Sequence, residues 1–345
     1  MPSIMASPLL LITGASGFIG AETVALALAK GYRARLAIRR PEQADELRAR
    51  FSDTGRANQL EFAVVPEIDN KAALKPALDG VDYVLHIASP MPATNGDLHK
   101  DYIGPAVRGT LAVLEVAATV PSIKRVVTTA SYFSLAPLDV TDRPGFAVEE
   151  GANASVVVDL DAPMPPAPFT DVYKYQISKV FAHREALAWV ASNKPAFDVI
   201  TIHPYYVLGF DRALKHDAEG NVQPRPVPGF YLFSLQSEQP ALPSTFVDVR
   251  DVAAIELGAL TVGNLKPRGE ITDVIAKGPA VTWAEIRAHV KAKHPDFPLK
   301  QTSDGGFALP LTSNTDRVTK DMGIVLRDPL ETLSTMLEQH GPLRM

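Results

Sequence analysis

Cysteine is absent from this 345-residue sequence, so neither a disulfide bond nor thiolate chemistry is available. The eight histidines show no HxxxH or HExxH spacing, and we therefore expect no metal site. Basic residues form no run, and the net charge of −5 disfavours a nucleic-acid surface. No apolar run is long enough to span a membrane, and the first residues, MPSIMASP, lack the basic region of a secretory signal. These absences predict a cytoplasmic protein.

What the chain does contain is typical of a globular protein. Hydrophobic residues make up 46% of it and charged residues 21%, which excludes extended disorder. The length suits one large domain or two modest ones. We expect small molecules as its partners, and the composition does not fix an oligomeric state.

The stretch LLLITGASGFIG near the amino terminus predicts a strand, a loop and a helix. Leu9 to Ile12 form a short apolar run of the kind found in buried parallel strands. Apolar residues recur at helical spacing from Ile19 to Ala29, and Gly31 supplies a stop signal. The helix therefore starts at the glycines.

The loop between this strand and helix contains Gly14, Gly17 and Gly20 in a GxxGxxG pattern. A helix start presents unpaired N–H groups, and glycines let a diphosphate approach them closely. The pattern differs from the GxGxxG fingerprint, so an ordinary glycine turn between strand and helix is the alternative interpretation.

Strand and helix patterns alternate through about the first 200 residues, which predicts a parallel, doubly wound α/β sheet of the Rossmann type. The ligand of such a sheet lies at the carboxyl ends of the strands, where the glycine loop also lies. The further strands predicted are Arg33–Ile38, Glu61–Val65, Tyr83–Ile87, Arg125–Thr129 and Asp198–His203.

The later part of the chain is less regular. Proline-rich segments at 137–169 and 210–243 predict irregular loops, and helices are expected at 283–293 and 329–339. We predict a dinucleotide-binding domain of residues 1–204, to which 246–262 return. Residues 205–245 and 263–345 are expected to form a smaller substrate-binding lobe.

Tyr175 and Lys179 lie four residues apart in a helix predicted to start near Asp171 and to stop before Pro195. This spacing places both side chains on one face of the helix. Alone, the pair fits a solvated surface equally well. Its position, one loop after Ser131 and the strand that precedes it, suits a reductase in which hydroxyl groups face a cofactor.

Several motifs in order resemble the extended short-chain dehydrogenase/reductases. They are TGASGFIG, HIASP at 86–90, PAVRGTLAVLE at 105–115, KRVVTTAS at 124–131, YQISK at 175–179 and FVDVRDVA at 246–253. Within that group the chain is most similar to the dihydroflavonol-4-reductase-like aldehyde and ketone reductases. The match covers about residues 9 to 260 and weakens beyond them.

This resemblance implies a catalytic set of three residues. Tyr175 would donate a proton to the carbonyl oxygen, and Ser131 would hydrogen-bond the same oxygen. Lys179 would place a positive charge beside the phenol and hold the nicotinamide ribose. The family's Thr-Ser-Ser turn reads Thr129-Ala130-Ser131 here, and Ser134 is the second candidate for the serine.

The resemblance also implies which residues would contact NADP(H). The strand at 33–38 ends in Arg39 and Arg40, where NAD-binding units carry an acid, and Arg39 matches the family's phosphate-binding arginine. A lysine common in relatives is Gln43 here. The remaining expected cofactor contacts are Gly14, Ser16, Gly17, Phe18, Ile19, Gly20, Glu67, Ile68, Ala88, Ser89, Thr129, Tyr175, Lys179, Pro204 and Val207.

The substrate pocket departs from the family pattern. Many relatives place a Trp after the acidic pair of the long loop, but no Trp follows Glu149-Glu150 before the catalytic helix. On the cofactor side, relatives often carry an acid that contacts adenine where this chain has Pro66-Glu67-Ile68. Tyr205 and Tyr206 replace smaller residues, so aromatic bulk is expected near the substrate. The residues expected to line the pocket are Pro90, Phe133, Tyr205 and Tyr206.

Other conspicuous residues are interpreted as structural. His86 and His203 lie on apolar strands and are expected to be core histidines. Asp248 and Asp251 are expected to cap and brace backbone, and the helix at Trp283 to pack.

The sequence therefore predicts an NADPH-dependent reductase of an aldehyde, a ketone or a β-keto compound. One alternative is a nucleotide-sugar epimerase or dehydratase, which would need a second diphosphate site, and no basic cluster is evident after Phe210. The other is a non-catalytic dinucleotide-sensing regulator, a class that typically lacks the Tyr/Lys pair.

Overall fold

A seven-stranded parallel sheet, flanked by helices on both faces, forms the centre of the computed structural model. The structure describes residues 7–89, 95–140, 143, 145–166, 169–305 and 312–341. The strands of the sheet are β1 (Leu9–Thr13), β2 (Arg33–Ile38), β3 (Leu60–Val64), β4 (Tyr83–His86), β5 (Arg125–Thr129), β6 (Asp198–Pro204) and β11 (Ile271–Ala276). Their spatial order is β11-β6-β5-β4-β1-β2-β3.

Helices and two short two-stranded sheets complete the described structure. Two further two-stranded sheets pair β7 (Val207–Leu208) with β10 (Val247–Asp248) and β8 (Lys215–His216) with β9 (Val222–Gln223). The helices are α1 (Phe18–Ala29), α2 (Gln43–Arg50), α3 (Lys71–Ala77), α4 (Gly104–Ala117), α5 (Phe169–Asn193), α6 (Pro226–Leu235), α7 (Val249–Gly258), α8 (Trp283–Lys293) and α9 (Pro329–His340). Among the described residues, we find no helix with the length and apolarity that crossing a bilayer requires.

The doubly wound architecture predicted from the sequence is confirmed. Alternate residues of β1 serve two cores: Leu10 and Ile12 pack with α1 and α7, whereas Leu9 and Leu11 pack with α3, α4 and α5. Buried parallel strands need this double cover because both of their faces are apolar. The predicted strands match the observed ones to within one residue at each end.

One strand of the sheet was not predicted. Ile271–Ala276 forms β11, which pairs in parallel register with β6 from Ile271 beside Val199 to Ala276 beside Pro204. The assignment of all of residues 263–345 to the substrate lobe is therefore wrong for this strand. Because β11 joins the sheet far from the earlier strands in sequence, local patterns did not reveal its pairing. The rest of the predicted domain division remains a proposal.

The segment 210–243 was predicted to be irregular, but it forms the β8–β9 hairpin and helix α6. Proline is tolerated in the first turn of a helix, where its missing N–H has no partner to lose. Pro226 and Pro228 both lie in the first turn of α6 and so begin the helix instead of breaking it. Tyr231 of α6 packs with Trp283 of α8 and Met336 of α9 in a separate core.

Two glycines are required by close backbone contacts around the first loop. Gly14 has a φ of +77°, and a Cβ there would lie 2.7 Å from the backbone nitrogen of Ala88. A Cβ on Gly20 would lie 2.1 Å from the carbonyl oxygen of Gly14. The start of α1 can approach β1 and β4 this closely only without side chains at these positions.

We expect Gly20→Ala to lower the free energy of unfolding by about 1–3 kcal/mol or more, because the new methyl group overlaps backbone that cannot move aside. Gly229 of α6 is a matched control, since a Cβ there would make an ordinary contact of 3.7 Å with Pro224. Gly229→Ala should raise stability by about 0.5–1 kcal/mol. Urea denaturation of both variants measures the difference, and equal midpoints would contradict the packing argument.

Candidate functional site

A cleft of about 1390 Å³ opens along the carboxyl ends of the sheet. It is larger than the roughly 300–1,000 Å³ of ordinary ligand pockets, so it can hold an extended ligand. Its floor lies where the chain order of the strands reverses, between β1 and β4. Open α/β sheets bind their ligands at this switch point.

Hydrogen bonds join the two loops that leave the switch point. The Ala88 backbone N–H donates to Thr13 Oγ1 at 3.0 Å, and the same hydroxyl lies 2.9 Å from Nδ1 of His86. The hydroxyl accepts from Ala88, and its proton or its second lone pair pairs with Nδ1 in either tautomer of the imidazole. Burial lowers the pKa of His86 to about 4, which keeps the imidazole neutral. The interpretation of His86 as a core histidine is confirmed.

Most of the predicted cofactor residues line this one cleft. Glycine-loop residues form one end of it, with the amino terminus of α1, where no acidic residue lies in the first turn. The predicted residues found on the cleft wall are Gly14, Ser16, Gly17, Phe18, Ile19, Gly20, Arg39, Arg40, Glu67, Ile68, Ala88, Ser89, Tyr175, Pro204 and Val207. The cradle of N–H groups and bare glycines suits a diphosphate.

Arg39 and Arg40 follow β2 and are both exposed at the cleft. The side-chain oxygen of Gln43 accepts from the backbone N–H of Arg39 at 2.8 Å and from that of Arg40 at 3.2 Å. Gln43 thus fixes the backbone of the two arginines and leaves their side chains exposed at the cleft. This role was not anticipated from the sequence.

Tyr175 and Lys179 lie on one face of α5, as predicted, with the Lys179 Nζ 5.3 Å from the centre of the Tyr175 ring. Lys179 is buried and donates from Nζ to Ser89 Oγ at 2.7 Å. Ser89 follows β4, so this bond ties α5 to the floor of the cleft. Tyr175 is half-buried and lines the cleft.

Of the two candidate serines, Ser131 lies on the cleft and Ser134 is fully buried behind it. Ser131 caps the short turn Tyr132–Ser134 by accepting from the Phe133 N–H at 3.2 Å. Ser134 donates from Oγ to the Ser131 carbonyl at 2.6 Å. The geometry therefore favours Ser131 as the serine that faces a ligand.

Two buried side-chain amides hold residues 131–137, called the Ser131 segment, against the helix that carries Tyr175. Gln176 donates from Nε2 to the carbonyls of Ala136 and Pro137 at 3.1 and 3.0 Å. Asn153 donates to the Ser134 carbonyl at 2.7 Å and to the Val180 carbonyl at 3.2 Å. These bonds fix the placement of the Ser131 segment relative to α5.

Thr129 and Lys179 line a small cavity of about 30 Å³ that shares Ala88, Ser89 and Ala130 with the cleft. Thr129 donates from Oγ1 to Oε1 of Glu256 on α7 at 2.5 Å. Glu256 is fully buried, and burial raises the pKa of its carboxyl to about 7 against the opposing effect of the Thr129 hydrogen bond. No pattern in the sequence indicated this carboxyl group.

Three of the aromatic side chains expected near the substrate, Phe133, Tyr205 and Tyr206, line the cleft and contact one another. The ring centres of Tyr205 and Tyr206 are 4.8 Å apart, and Phe133 lies 6.0 Å from Tyr206 in an edge-to-face arrangement. Burial raises the pKa values of both tyrosines, which therefore remain uncharged phenols. Pro90, the fourth predicted pocket residue, lies outside the described residues.

The segment between β7 and β10 contributes cleft residues that the sequence analysis missed. Three of them, Val227, Phe230 and Leu242, are apolar, and Phe230 is 41% exposed. Lys215 and Arg225 also line the cleft, two basic residues of this segment that the sequence analysis did not place there. Arg225 is held by Asp211 Oδ2 at 2.9 Å and by the Ala213 carbonyl, so its charge is already paired.

The remaining structural interpretations are confirmed where the contacts test them. Asp248 caps α7 by accepting from the Arg250 N–H, and Asp251 accepts from the Arg327 N–H at 2.8 Å. Trp283 is buried and stacks on Tyr231.

His203 is a core histidine with polar neighbours. It lies with His183 around Asp273 in a buried group whose ligand-type atoms are within 4.8 Å of one another. The two imidazole Nε2 atoms lie 2.9 and 3.1 Å from Asp273 Oδ1, which are hydrogen-bond distances. These three residues are far apart in the chain and form no short motif, so the sequence analysis did not predict the group.

The fold and the cleft define a dinucleotide-binding α/β protein: a glycine cradle at the switch point, a long cleft and a Tyr/Lys pair beside it. The comparison with protein families agrees. Residues 10–222 match the NAD dependent epimerase/dehydratase family, and the chain belongs to that family.

Individual relatives are similar over different shares of the chain. The ketoreductase sphI of Aspergillus fumigatus is 38% identical over 208 residues, 59% of this chain and 60% of that protein, so less than two thirds of its length is matched. Aldehyde reductase 2 of Sporidiobolus salmonicolor is 28% identical over 84% of each chain. A structure of the yeast methylglyoxal/isovaleraldehyde reductase Gre2 complexed with NADPH superposes with a TM-score of 0.76 at 23% identity, covering 96% of this chain and 98% of that one, and shows the shared fold.

The Glu256 carboxyl provides a pH test of the site. With a pKa of about 7 in the folded state and an ordinary value of 4.5 when unfolded, the folded protein binds the extra proton between these values, so stability falls as pH rises through this interval. Glu256→Gln keeps an acceptor for Thr129 but cannot ionise. We expect the variant to gain up to about 3 kcal/mol relative to the parent protein between about pH 4.5 and pH 7.

Urea denaturation across this range measures the gain, with Glu270→Gln, at an exposed position, as the control. A difference between Glu256→Gln and the parent that does not change with pH would contradict the assignment of a buried, protonated carboxyl group.

Proposed function

We propose that this protein is an NADPH-dependent carbonyl reductase that converts an aldehyde, a ketone or a β-keto compound to an alcohol. The observation that carries the proposal is the convergence of Tyr175, Lys179 and Ser131 on a cleft that begins at a glycine cradle. Bound NADPH supplies a hydride to the carbonyl carbon. The protein must then supply a proton and hold the carbonyl oxygen.

Tyr175 is the proposed proton donor. Its phenol is on the cleft, and the ammonium of Lys179 lies over its ring, where a positive charge favours the phenolate left after proton transfer. Ser131, which also lines the cleft, hydrogen-bonds the carbonyl oxygen and fixes its orientation. Ser89 holds the Lys179 ammonium in place at 2.7 Å.

The choice of NADPH over NADH follows from the end of β2. An NAD site uses a carboxylate there to bind the ribose hydroxyls, whereas this chain presents the exposed guanidinium groups of Arg39 and Arg40. Guanidinium groups bind a phosphate through charged hydrogen bonds. We assign Arg39 as the main contact of the 2′-phosphate, with Arg40 beside it.

Aromatic or otherwise bulky carbonyl compounds are the proposed substrate class. Phe133, Tyr205 and Tyr206 form one wall of the substrate space, and Val227, Phe230 and Leu242 of the lobe form another. Apolar surfaces of this extent are stabilised by covering them with an apolar ligand. The names of the relatives, ketoreductase and aldehyde reductase, fit carbonyl reduction.

Both alternatives predict features that the cleft does not favour. An epimerase acting on a nucleotide sugar needs cations for a second diphosphate, and Arg225 is already paired with Asp211, which leaves Lys215 on that part of the wall. A dinucleotide-sensing regulator has no need of Tyr175 and Lys179 on the cleft. Incubating the purified protein with NADPH and a panel of carbonyl compounds, and following nicotinamide absorbance, distinguishes the three functions.

Tyr175→Phe tests the proton donor. We expect kcat to fall by about 10²- to 10⁴-fold while the Kd for NADPH stays within a factor of two, because only the hydroxyl is lost. Tyr173→Phe, two residues away on the same helix and so on a different face, is the control and should retain the parent activity. Near-normal turnover in Tyr175→Phe would exclude this tyrosine as the donor.

Arg39→Ala tests the cofactor choice. A hydrogen bond to a charged group contributes about 1.5–3 kcal/mol, so the variant should bind NADPH roughly 10- to 150-fold more weakly and NADH almost unchanged. Fluorescence titration of both cofactors measures the two affinities, with Arg48→Ala on α2, whose side chain pairs with Asp45, as the control. Equal losses for the two cofactors, or no loss, would show that Arg39 does not bind the 2′-phosphate.

A further inference from the structure

A chain of buried polar groups runs from β11 to the cleft serine. Oδ1 of Asp273 lies 2.9 Å from Nε2 of His203, and Nδ1 of His203 lies 2.8 Å from Ser134 Oγ and 3.2 Å from the Ser131 carbonyl oxygen. Ser134 Oγ is itself 2.6 Å from that carbonyl oxygen. Asp273, His203 and Ser134 are each at most 1% exposed, so water does not compete for these contacts.

Counting protons shows which form of His203 satisfies the chain. The Ser134 hydroxyl has one proton for two short contacts, with the Ser131 carbonyl and with Nδ1. If Nδ1 carried no proton, one of these contacts would bring two lone pairs within 2.8 Å, which is unfavourable in a buried site. A proton on Nδ1 gives every contact a donor.

The neighbours of Asp273 hold its carboxyl group in the ionised form. Its Oδ2 accepts from the Gly151 backbone N–H at 3.1 Å, and Nε2 of His183 lies 3.1 Å from Oδ1. Burial alone would raise the pKa of Asp273, but the neighbouring His203 and His183 outweigh it and hold that pKa well below its usual range. A carboxylate can only accept hydrogen bonds, so the 2.9 Å contact of Asp273 Oδ1 requires a proton on Nε2 of His203.

We propose that Asp273, His203 and Ser134 form a buried positioning chain in which Nδ1–H of His203 donates to Ser134 and to the Ser131 carbonyl, fixing Ser131 for its part in carbonyl reduction. This inference rests on the function proposed above. None of the three residues faces the cleft, and they act through Ser131.

The chain controls Ser131 because it holds the peptide group that follows that residue. The Ser131 carbonyl receives the Ser134 N–H at 2.9 Å and the Ser134 hydroxyl at 2.6 Å, with His203 Nδ1 as the third donor. Three donors on one carbonyl restrict the backbone rotation of Ser131 and set the turn that presents Phe133. Misplacing a catalytic group by about 1 Å costs up to about 10²-fold in rate.

The protonation state of His203 is tested by ¹⁵N nuclear magnetic resonance of the full chain labelled at histidine, a readout that does not depend on an activity assay. The His203 signals are assigned as those lost in His203→Asn. Protonated Nδ1 and Nε2 are expected. A bare Nδ1 would overturn the proposal.

Ser134→Ala tests the positioning role with a small change of volume. We expect kcat to fall about tenfold while the Kd for NADPH changes less than twofold, because a slightly displaced Ser131 affects the reaction and leaves the cofactor cradle intact. Ser244→Ala is the matched control, since Ser244 is buried and donates to the Val281 carbonyl at the same 2.6 Å. A general loss of packing would lower both variants equally and would overturn the proposal.

The double variant shows whether Ser134 acts through Ser131. If it does, Ser134→Ala should cause no further loss of kcat in a Ser131→Ala background, whereas independent roles would give additive losses and overturn the chain.

Asp273→Asn should reproduce the effect of Ser134→Ala on kcat. The amide oxygen of the asparagine still accepts from Nε2–H of His203, but it carries no charge that would favour a proton on Nδ1 as well. If Ser131→Ala alone keeps full activity, the proposed role of Ser131 fails, and the NMR result still decides the protonation of His203.

Discussion

The closeness of β1 and β4 at the switch point is the constraint on which the rest of the molecule depends. A single hydroxyl, that of Thr13, satisfies both the Ala88 N–H and Nδ1 of His86, and Gly14 packs against the same backbone without a side chain. Unpaired polar groups at this depth would each cost about 1–3 kcal/mol. The contact sets the separation of the first loop and the β4 loop, and the cleft opens between them.

Helix α5 carries the proposed reaction chemistry, and buried hydrogen bonds hold it at three points. Lys179 bonds Ser89, Gln176 bonds the backbone at 136–137, and Asn153 bonds the Val180 carbonyl. Each contact reaches a different part of the chain. Burying such groups is unfavourable unless they are paired, so the pairing specifies one placement of the helix.

The proposed cofactor and substrate sites lie on different parts of the cleft. Loops at the strand ends carry the proposed diphosphate cradle and the Arg39–Arg40 turn. The proposed substrate walls come from Phe133 after β5 and from segments after β6, including α6 with its partly exposed Phe230. A scaffold of this kind can change its substrate through these segments while keeping its cofactor site.

The sequence by itself determined the elements whose signals are local. Apolar runs gave the strands β1 to β6 to within one residue, the glycines gave the start of α1, and a spacing of four placed Tyr175 and Lys179 on one helix face. Only the tertiary structure decided which serine faces the cleft, that residues 271–276 complete the sheet, and that Glu256 and Asp273 lie buried behind the site. Thr129 and Glu256 are 127 residues apart, and His203 and Asp273 are 70 apart. Contacts at such separations depend on how whole elements pack, which the periodicity of a single segment does not encode.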